Sequence, residues 1–216
     1  SALETAPAPT VEVTRKDPAD VQFFATCPRG LAGALAEELA GLGAQEIKAG
    51  EAGVEFEGPF EIAYVANLES RLATRILARV SRFDYRNEAD IYEGARNVRW
   101  HAHFGVERTF KVETNAVKAP VKSLDFITLK VKDAIADVFR EALGKRPDVS
   151  ARLPDVRVHV FLDAKWCTLY VDTSGEPLFK RGVRDRAGEA PLKKNLAAGL
   201  LRLAGWTPDM PLLDPM

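Results

Sequence analysis

The order of short apolar runs and helical spacings in the first part of the chain restricts the fold more than any other feature. Val21–Thr26 has the pattern of a strand, and leucines then recur at helical spacing from Leu31 to Leu42. Two short strands follow, then a second helix over Phe60–Glu69 and a further strand over Arg75–Phe83. This β-α-β-β-α-β order is typical of a ferredoxin-like domain, which we expect at residues 21–85.

The middle and the end of the chain add further helix and strand patterns. Ser123–Leu143 has the clearest helical periodicity. Val156–Leu162 and Trp166–Asp172 alternate like half-buried strands, with His159 on the polar side of the first. A last helix is predicted over Leu192–Ala204, so the chain is predicted to be an α+β protein. The apolar stripes expected to be buried are Leu124, Ile127, Val131, Ala134 and Val138 in the long helix, and Leu192, Leu196, Leu200 and Leu203 in the last one.

Composition excludes several classes of protein. The chain has 216 residues, 46% of them hydrophobic, which is enough for a packed core and too much for a disordered tail. No apolar run approaches the roughly 18 residues that a membrane-spanning helix needs, so we expect no membrane partner. Cys27 and Cys167 are too few for a disulfide scaffold and lack zinc-site spacing, which favours a reducing, cytoplasmic compartment. Residues 1–20 are rich in alanine, proline and charge and are expected to form a flexible tail.

The sequence offers no complete catalytic site and no metal site. His101 and His103 would share one face of an extended segment, but zinc needs three or four ligands and no third ligand has suitable spacing. Residues 172–175 (DTSG) resemble an aspartic protease signature only superficially, because that chemistry needs paired carboxylates. We therefore expect a turn at 172–175, no catalytic residue in this chain and no bound metal.

The formal net charge of −1 conceals a gradient along the chain. Residues 1–70 hold 4 basic and 12 acidic residues, whereas residues 71–216 hold 26 basic and 19 acidic ones. Basic residues interleaved with aromatic ones such as Phe110, Trp166 and Tyr170 are typical of RNA-binding surfaces, although a solvated, mixed-charge surface is the alternative. The candidate RNA-binding residues are Arg108, Lys111, Lys118, Lys122, Lys130, Lys132, Arg152, Arg157, Lys180, Arg181 and Arg184.

Six segments, taken in order, resemble the bacterial THUMP-containing ribosomal RNA methyltransferases. They are FFATCPRGL at 23–31, LKVKDAI at 129–135, PDVRVHV at 154–160, DTSGEPL at 172–178, RGVRDRAGEAPLK at 181–193 and LLDPM at 212–216. The last segment is similar to the first half of the family's S-adenosylmethionine (SAM) motif, LLDPMCGSGT. Within the family, the resemblance is greatest to enzymes that methylate guanine N2 in the 23S rRNA of the large subunit.

The resemblance implies an architecture, a cofactor and a partner. A THUMP RNA-binding domain, a mixed sheet with helices, is expected at 86–175, and residues 176–216 would be a linker and the first elements of a Rossmann-like methyltransferase domain. The parent protein would use SAM to methylate large-subunit ribosomal RNA. This chain lacks the glycine-rich turn and the Asn-Pro-Pro-aromatic motif, so alone it would bind no SAM and be inactive. The residues that match the family's cofactor region are Arg186, Pro191, Lys193 and Asp214.

One departure from the family and two other functions belong beside this expectation. Lys194 and Asn195 stand where relatives usually have Glu-Thr, which weakens the assignment of SAM contacts to residues 184–195. The chain would alternatively be a free-standing THUMP adaptor, although its Leu212-Leu213 ending favours a longer protein. It would otherwise be the RNA-binding part of a tRNA methyltransferase, a 4-thiouridine synthetase or a protein named as a DNA adenine methyltransferase. The Asp-Pro-Met ending disfavours the synthetase.

Overall fold

The computed structural model describes residues 20–182 and 192–213. Within them the chain forms seven strands and five helices, which confirms the predicted α+β class. The elements are β1 (Val21–Thr26), α1 (Ala32–Gly41), β2 (Gln45–Gly50), β3 (Gly53–Gly58), α2 (Glu61–Glu69), β4 (Arg75–Asp84), α3 (Glu88–Arg96), β5 (Phe110–Ala116), α4 (Leu124–Leu143), β6 (Val156–Leu162), β7 (Trp166–Asp172) and α5 (Lys194–Leu203). Residues 1–19 of the expected tail lie outside the described residues.

One mixed sheet runs through both halves of the chain. Its strand order is β2-β3-β1-β4-β7-β6-β5. Strand β4 pairs antiparallel with β1 on one side and with β7 on the other, whereas β5 and β6 are parallel. The domain boundary expected near residue 85 therefore falls at the end of a strand that belongs to both halves.

The helices of the two halves cover one face of this sheet, because alternate side chains along a strand point to opposite sides. Phe23 on β1 and Ile76 on β4 are buried with residues of α1 and α2 in one core cluster. Phe110 on β5 and Val160 on β6 are buried with residues of α3 and α4 in a second cluster. The opposite face, which we call the open face, carries polar, charged and aromatic side chains.

The buried stripe of α4 differs from the predicted one. Leu124 is 38% exposed and Val138 is only partly buried. The fully buried residues are Ile127, Val131, Ala134, Ile135 and Phe139. The ring of Phe139 lies 5.0 Å from that of Phe104. Because α4 packs against both α3 and β5, its buried surface is wider than one stripe and is rotated from the predicted line.

The prediction that leucines bury α5 is wrong. Leu200 and Leu203 are 51% and 63% exposed, and the buried residues of the helix are Asn195 and Gly199. A Cβ atom on Gly199 would lie 2.3 Å from Cδ1 of the buried Leu31. The helix thus approaches the N-terminal half so closely that only glycine fits, and this close approach leaves the leucines outside.

Two expected absences have structural counterparts in the described part of the chain. No helix there has the length and apolarity needed to cross a bilayer, and no three His, Cys, Asp or Glu side chains come close enough to hold a metal ion. His101 and His103 lie in and just after a 3₁₀ turn, Trp100–Ala102, instead of on an extended segment. The His103 ring lies 6.3 Å from that of Trp100, and burial lowers the pKa of His103.

Candidate nucleic-acid interface

The N-terminal end of α4 gathers three lysines around an exposed aromatic ring. Lys118 and Lys122 are exposed on the preceding loop, and Ser123 begins the helix by accepting a 3.3 Å hydrogen bond from the backbone N–H of Phe126. Nζ of Lys130 lies 5.3 Å from the centroid of the Phe126 ring, which is 40% exposed. We call Lys118, Lys122 and Lys130 the α4 lysine cluster. No described carboxylate is within ion-pair distance of these ammonium groups, so their charge is available to a phosphate.

Lys132 does not join the α4 lysine cluster. Two residues along an α-helix correspond to a rotation of about 200°, so Lys130 and Lys132 lie on opposite flanks of α4. Nζ of Lys130 faces the ring of Tyr92 on α3 at 5.8 Å, whereas Nζ of Lys132 lies 3.4 Å from Asp133. The two lysines that sequence reasoning placed together therefore cannot contact the same phosphate group.

Arg108, Lys111 and Arg152 lie around the N-terminal ends of β5 and β6. Arg108 is within 3.8 Å of Asp155, and Lys111 forms a 2.9 Å ion pair with Glu113. Burial opposes the charge of Glu113, but the Lys111 hydrogen bond and nearby cations outweigh it and lower the pKa of this carboxyl. Arg152 is exposed and has no carboxylate partner among the described residues, which leaves it the freest cation of the three.

Arg157 is used inside the protein. Its Nη1 donates a 2.8 Å hydrogen bond to the carbonyl of Gly175, its Nη2 lies 3.5 Å from Glu176, and its side chain is only 13% exposed. The same carbonyl accepts a 2.6 Å hydrogen bond from Arg75 on β4. Residues 172–175 form the expected turn, with Ser174 N–H donating to Asp172 Oδ1 at 2.8 Å. The turn, together with Arg75 and Arg157, forms a polar junction between the two halves of the sheet.

His159 lies on the open face as predicted but is buried there, with 8% of its surface exposed. Its Nδ1 lies 3.8 Å from Glu113 and its Nε2 lies 3.7 Å from Asp172. Nε2 is buried and has no hydrogen-bond partner among the described residues. The imidazole therefore belongs to the packed polar junction and is not an exposed RNA-facing group.

Lys180 and Arg181 also make intramolecular contacts. Lys180 forms a 2.6 Å ion pair with Glu176. The guanidinium of Arg181 donates hydrogen bonds to the carbonyls of Asn67, Leu68 and Ser70 at the C-terminal end of α2. The last carbonyls of a helix have no partner within the helix, so Arg181 caps α2. Sequence periodicity cannot reveal such a contact across more than 100 residues of chain.

The described residues do not assemble a SAM site. Arg184, Arg186, Pro191 and Asp214 lie outside the described residues, and Nζ of Lys193 lies 5.2 Å from the Phe179 ring. Lys194 donates to the carbonyl of Arg181 at 2.6 Å. Asn195 is 2% exposed and donates to Thr74 Oγ1 at 2.9 Å. The two residues that depart from the family pattern thus fasten α5 to the N-terminal half.

Sequence reasoning missed a groove of about 400 Å³ on the open face. The residues that line it include Gln22, Glu55, Arg79, Arg82, Trp166 and Tyr170. The guanidinium of Arg82 lies 5.0 Å from the Trp166 ring, and Nζ of Lys165 lies 4.8 Å from the same ring. The sequence pattern indicates Trp166 and Tyr170 as potential stacking residues. Their arginine neighbours come from β4 and become neighbours only through the β4–β7 pairing.

The groove has a basic and an acidic side. Tyr170 lies between them, 7% exposed, with its ring 6.2 Å from Phe24. Burial raises the pKa of Tyr170 to about 12; Glu55 adds to this increase, whereas Arg79 and Arg82 oppose it. On the acidic side, Gln22 donates to Glu57 and keeps its Oε1 buried without a described hydrogen-bond partner.

Family comparisons match three successive parts of the chain. Residues 22–77 match the RlmL ferredoxin-like domain, residues 85–172 match the THUMP domain, and residues 181–216 match the RMKL-like methyltransferase domain. The first two matches meet at β4 and the following turn, as the topology indicates. The described part of the third match consists of the linker and α5.

Individual relatives have the same domain order. The chain is 46% identical over 199 residues to the ribosomal RNA large subunit methyltransferase K/L of Methylococcus capsulatus, covering 90% of this chain and 27% of that protein. It is 31% identical to the structure of a predicted N6-adenine-specific DNA methylase from Listeria monocytogenes, with a TM-score of 0.81 over 91% of this chain and 52% of that one. The methyltransferase SMU.472, solved with SAH, has 27% identity and a TM-score of 0.77, covering 90% and 52%. The chain thus spans about a quarter to a half of these relatives, and it contains an RlmL-type ferredoxin-like domain, a THUMP domain and part of an RMKL-like methyltransferase domain.

Proposed function

We propose that this chain is the RNA-binding part of a SAM-dependent methyltransferase that modifies guanine N2 in large-subunit ribosomal RNA. The relative from Methylococcus capsulatus supports the large-subunit RNA as partner, and the SAH in SMU.472 supports SAM as cofactor of the complete protein. SAM supplies an electrophilic methyl group when it is bound. This chain binds and positions RNA, and by itself it holds no SAM and is inactive.

The observation that carries the RNA-binding proposal is the α4 lysine cluster beside Phe126. Lysines without carboxylate partners among the described residues lose little when they bind a phosphate, whereas the paired Arg108, Lys111 and Arg157 would first have to break ion pairs. The N-terminal end of α4 adds a favourable dipole for an anion. Contacts of this kind set affinity and register without reading the base sequence.

The test is binding of a fluorescent large-subunit rRNA hairpin to the chain, measured by anisotropy over a range of salt concentrations. The variant Lys118→Ala/Lys122→Ala/Lys130→Ala should bind more weakly, and the slope of log K against log salt should fall by about two, at roughly 0.7–0.9 per phosphate. Lys145→Ala is the matched control, because Lys145 is an exposed lysine beyond the opposite end of α4. An unchanged slope in the triple variant would contradict the proposed interface.

The target atom is tested with the complete protein. Labelled SAM and 23S rRNA should give N2-methylguanosine after digestion to nucleosides. N6-methyladenosine instead would assign the chemistry that the Listeria relative is named for. A tRNA that competes better than the rRNA hairpin would identify a tRNA methyltransferase. RNA binding with no methyl transfer by the complete protein would favour the adaptor.

A further inference from the structure

The groove on the open face is chemically divided in a way that a uniform phosphate-binding surface is not. Arg79, Arg82 and Lys165 provide positive charge on the β4–β7 side. Glu55 and the Gln22–Glu57 pair provide acceptor oxygens on the β1–β3 side. A duplex backbone would be repelled by this second side, so the groove fits a ligand that is an anion at one end and a hydrogen-bond donor at the other.

An aromatic platform lies between the two sides. Trp166 is half-buried, and the guanidinium of Arg82 lies 5.0 Å from its ring centroid. Proteins hold unstacked bases on aromatic rings and on arginine guanidinium planes, and every base has a face that can stack in this way. A volume of about 400 Å³ lies within the range of ligand clefts, roughly 300–1,000 Å³, and suits one nucleotide.

The acceptor side indicates which base would fit. Carboxylates and amide oxygens accept hydrogen bonds, so they pair with bases that present N–H groups together on one edge. Guanine presents its N1–H and N2–H₂ groups side by side, whereas uracil presents a single N3–H. Oε1 of Gln22 is buried in the groove wall without a described partner, and a base N–H would satisfy this acceptor.

From this arrangement we propose that the groove binds one unpaired guanine nucleotide of the RNA, with the base on Trp166 and Arg82 and its donor edge toward Gln22 and Glu55. The proposal rests on the proposed RNA-binding function and extends it from phosphate contacts to recognition of a single base. The nucleotide lies on the open face, opposite the helix layer that carries the α4 lysine cluster. The bound RNA would therefore contact both faces of the sheet around one edge.

The test uses two single-stranded RNA pentamers, UUGUU and UUUUU, added to the chain and followed by nuclear magnetic resonance. The chain has three tryptophans, and the Trp166 indole N–H is assigned from the spectrum of Trp166→Phe. We expect UUGUU to shift this resonance and UUUUU to shift it much less. Trp166→Ala should weaken UUGUU binding by about tenfold or more, whereas Trp166→Phe keeps an aromatic face and most of the affinity.

A second variant keeps the proposal testable if Trp166→Ala fails to fold. Glu55 is exposed, so Glu55→Gln should fold normally and should reduce the preference for UUGUU over UUUUU. No shift of the Trp166 resonance with either pentamer would overturn the groove proposal, as would equal shifts that Glu55→Gln leaves unchanged. If the lysine triple variant loses hairpin binding while Trp166→Ala keeps it, the groove proposal fails and the RNA-binding function remains.

Discussion

Arg75 on β4 and Asp172 at the end of β7 form an ion pair whose carboxylate is completely buried. The other oxygen of Asp172 accepts a hydrogen bond from the backbone of Ser174, and Arg75 also donates to the carbonyl of Gly175. The pair thus ties the end of the THUMP part to the ferredoxin-like part. It lies just before the linker that leads to α5.

The first prediction concerns this pair. Arg75→Ala should lower the free energy of unfolding by roughly 3–5 kcal/mol, because it leaves a buried carboxylate without its cation. Urea denaturation measures the change. The control is Arg96→Ala, which removes a partly exposed ion pair with Glu141 and should cost less than about 1 kcal/mol. A loss for Arg75→Ala no greater than that of the control would contradict the role of the junction.

The second prediction concerns the docking of α5. Gly199→Ala should destabilise the chain by about 1–3 kcal/mol, because the new Cβ would lie 2.3 Å from a methyl group of the buried Leu31. Thermal unfolding compares it with Gly33→Ala. Gly33 lies within α1, and a Cβ atom added there would meet no neighbouring atom within 4 Å, so alanine should stabilise by about 0.5–1 kcal/mol. Destabilisation by both substitutions alike would argue against the close approach of α5.

The α5 case shows where sequence reasoning stops. Periodicity predicted the helices and strands, because each buried face repeats locally along the chain. It chose the wrong face for α5, since burial there depends on Gly199 fitting against Leu31, a residue far away in sequence. For the same reason it offered Arg157 and Arg181 as phosphate ligands, although their partners at Gly175 and on α2 appear only in the folded chain.

The third prediction separates the structural use of Arg181 from an RNA contact. Arg181→Ala should reduce the free energy of unfolding by about 1–3 kcal/mol, because the C-terminal carbonyls of α2 lose their charged donor. The salt slope of RNA hairpin binding should stay at the wild-type value, unlike that of the lysine triple variant. Both quantities are measured on the same folded sample. A slope that falls by nearly one would instead place Arg181 on a phosphate.

The last prediction uses the burial of Tyr170 in the groove wall. Burial raises its pKa from 10.0 to about 12, so the unfolded chain releases the phenol proton at lower pH than the folded chain does. The neutral phenol therefore contributes its full stability below pH 10, and this contribution is lost as the pH rises toward 12. In urea denaturation at increasing alkaline pH, Tyr170→Phe should lose stability less steeply than the wild type. Equal slopes for the two proteins would show that this phenol ionises as readily in the folded groove as in the unfolded chain.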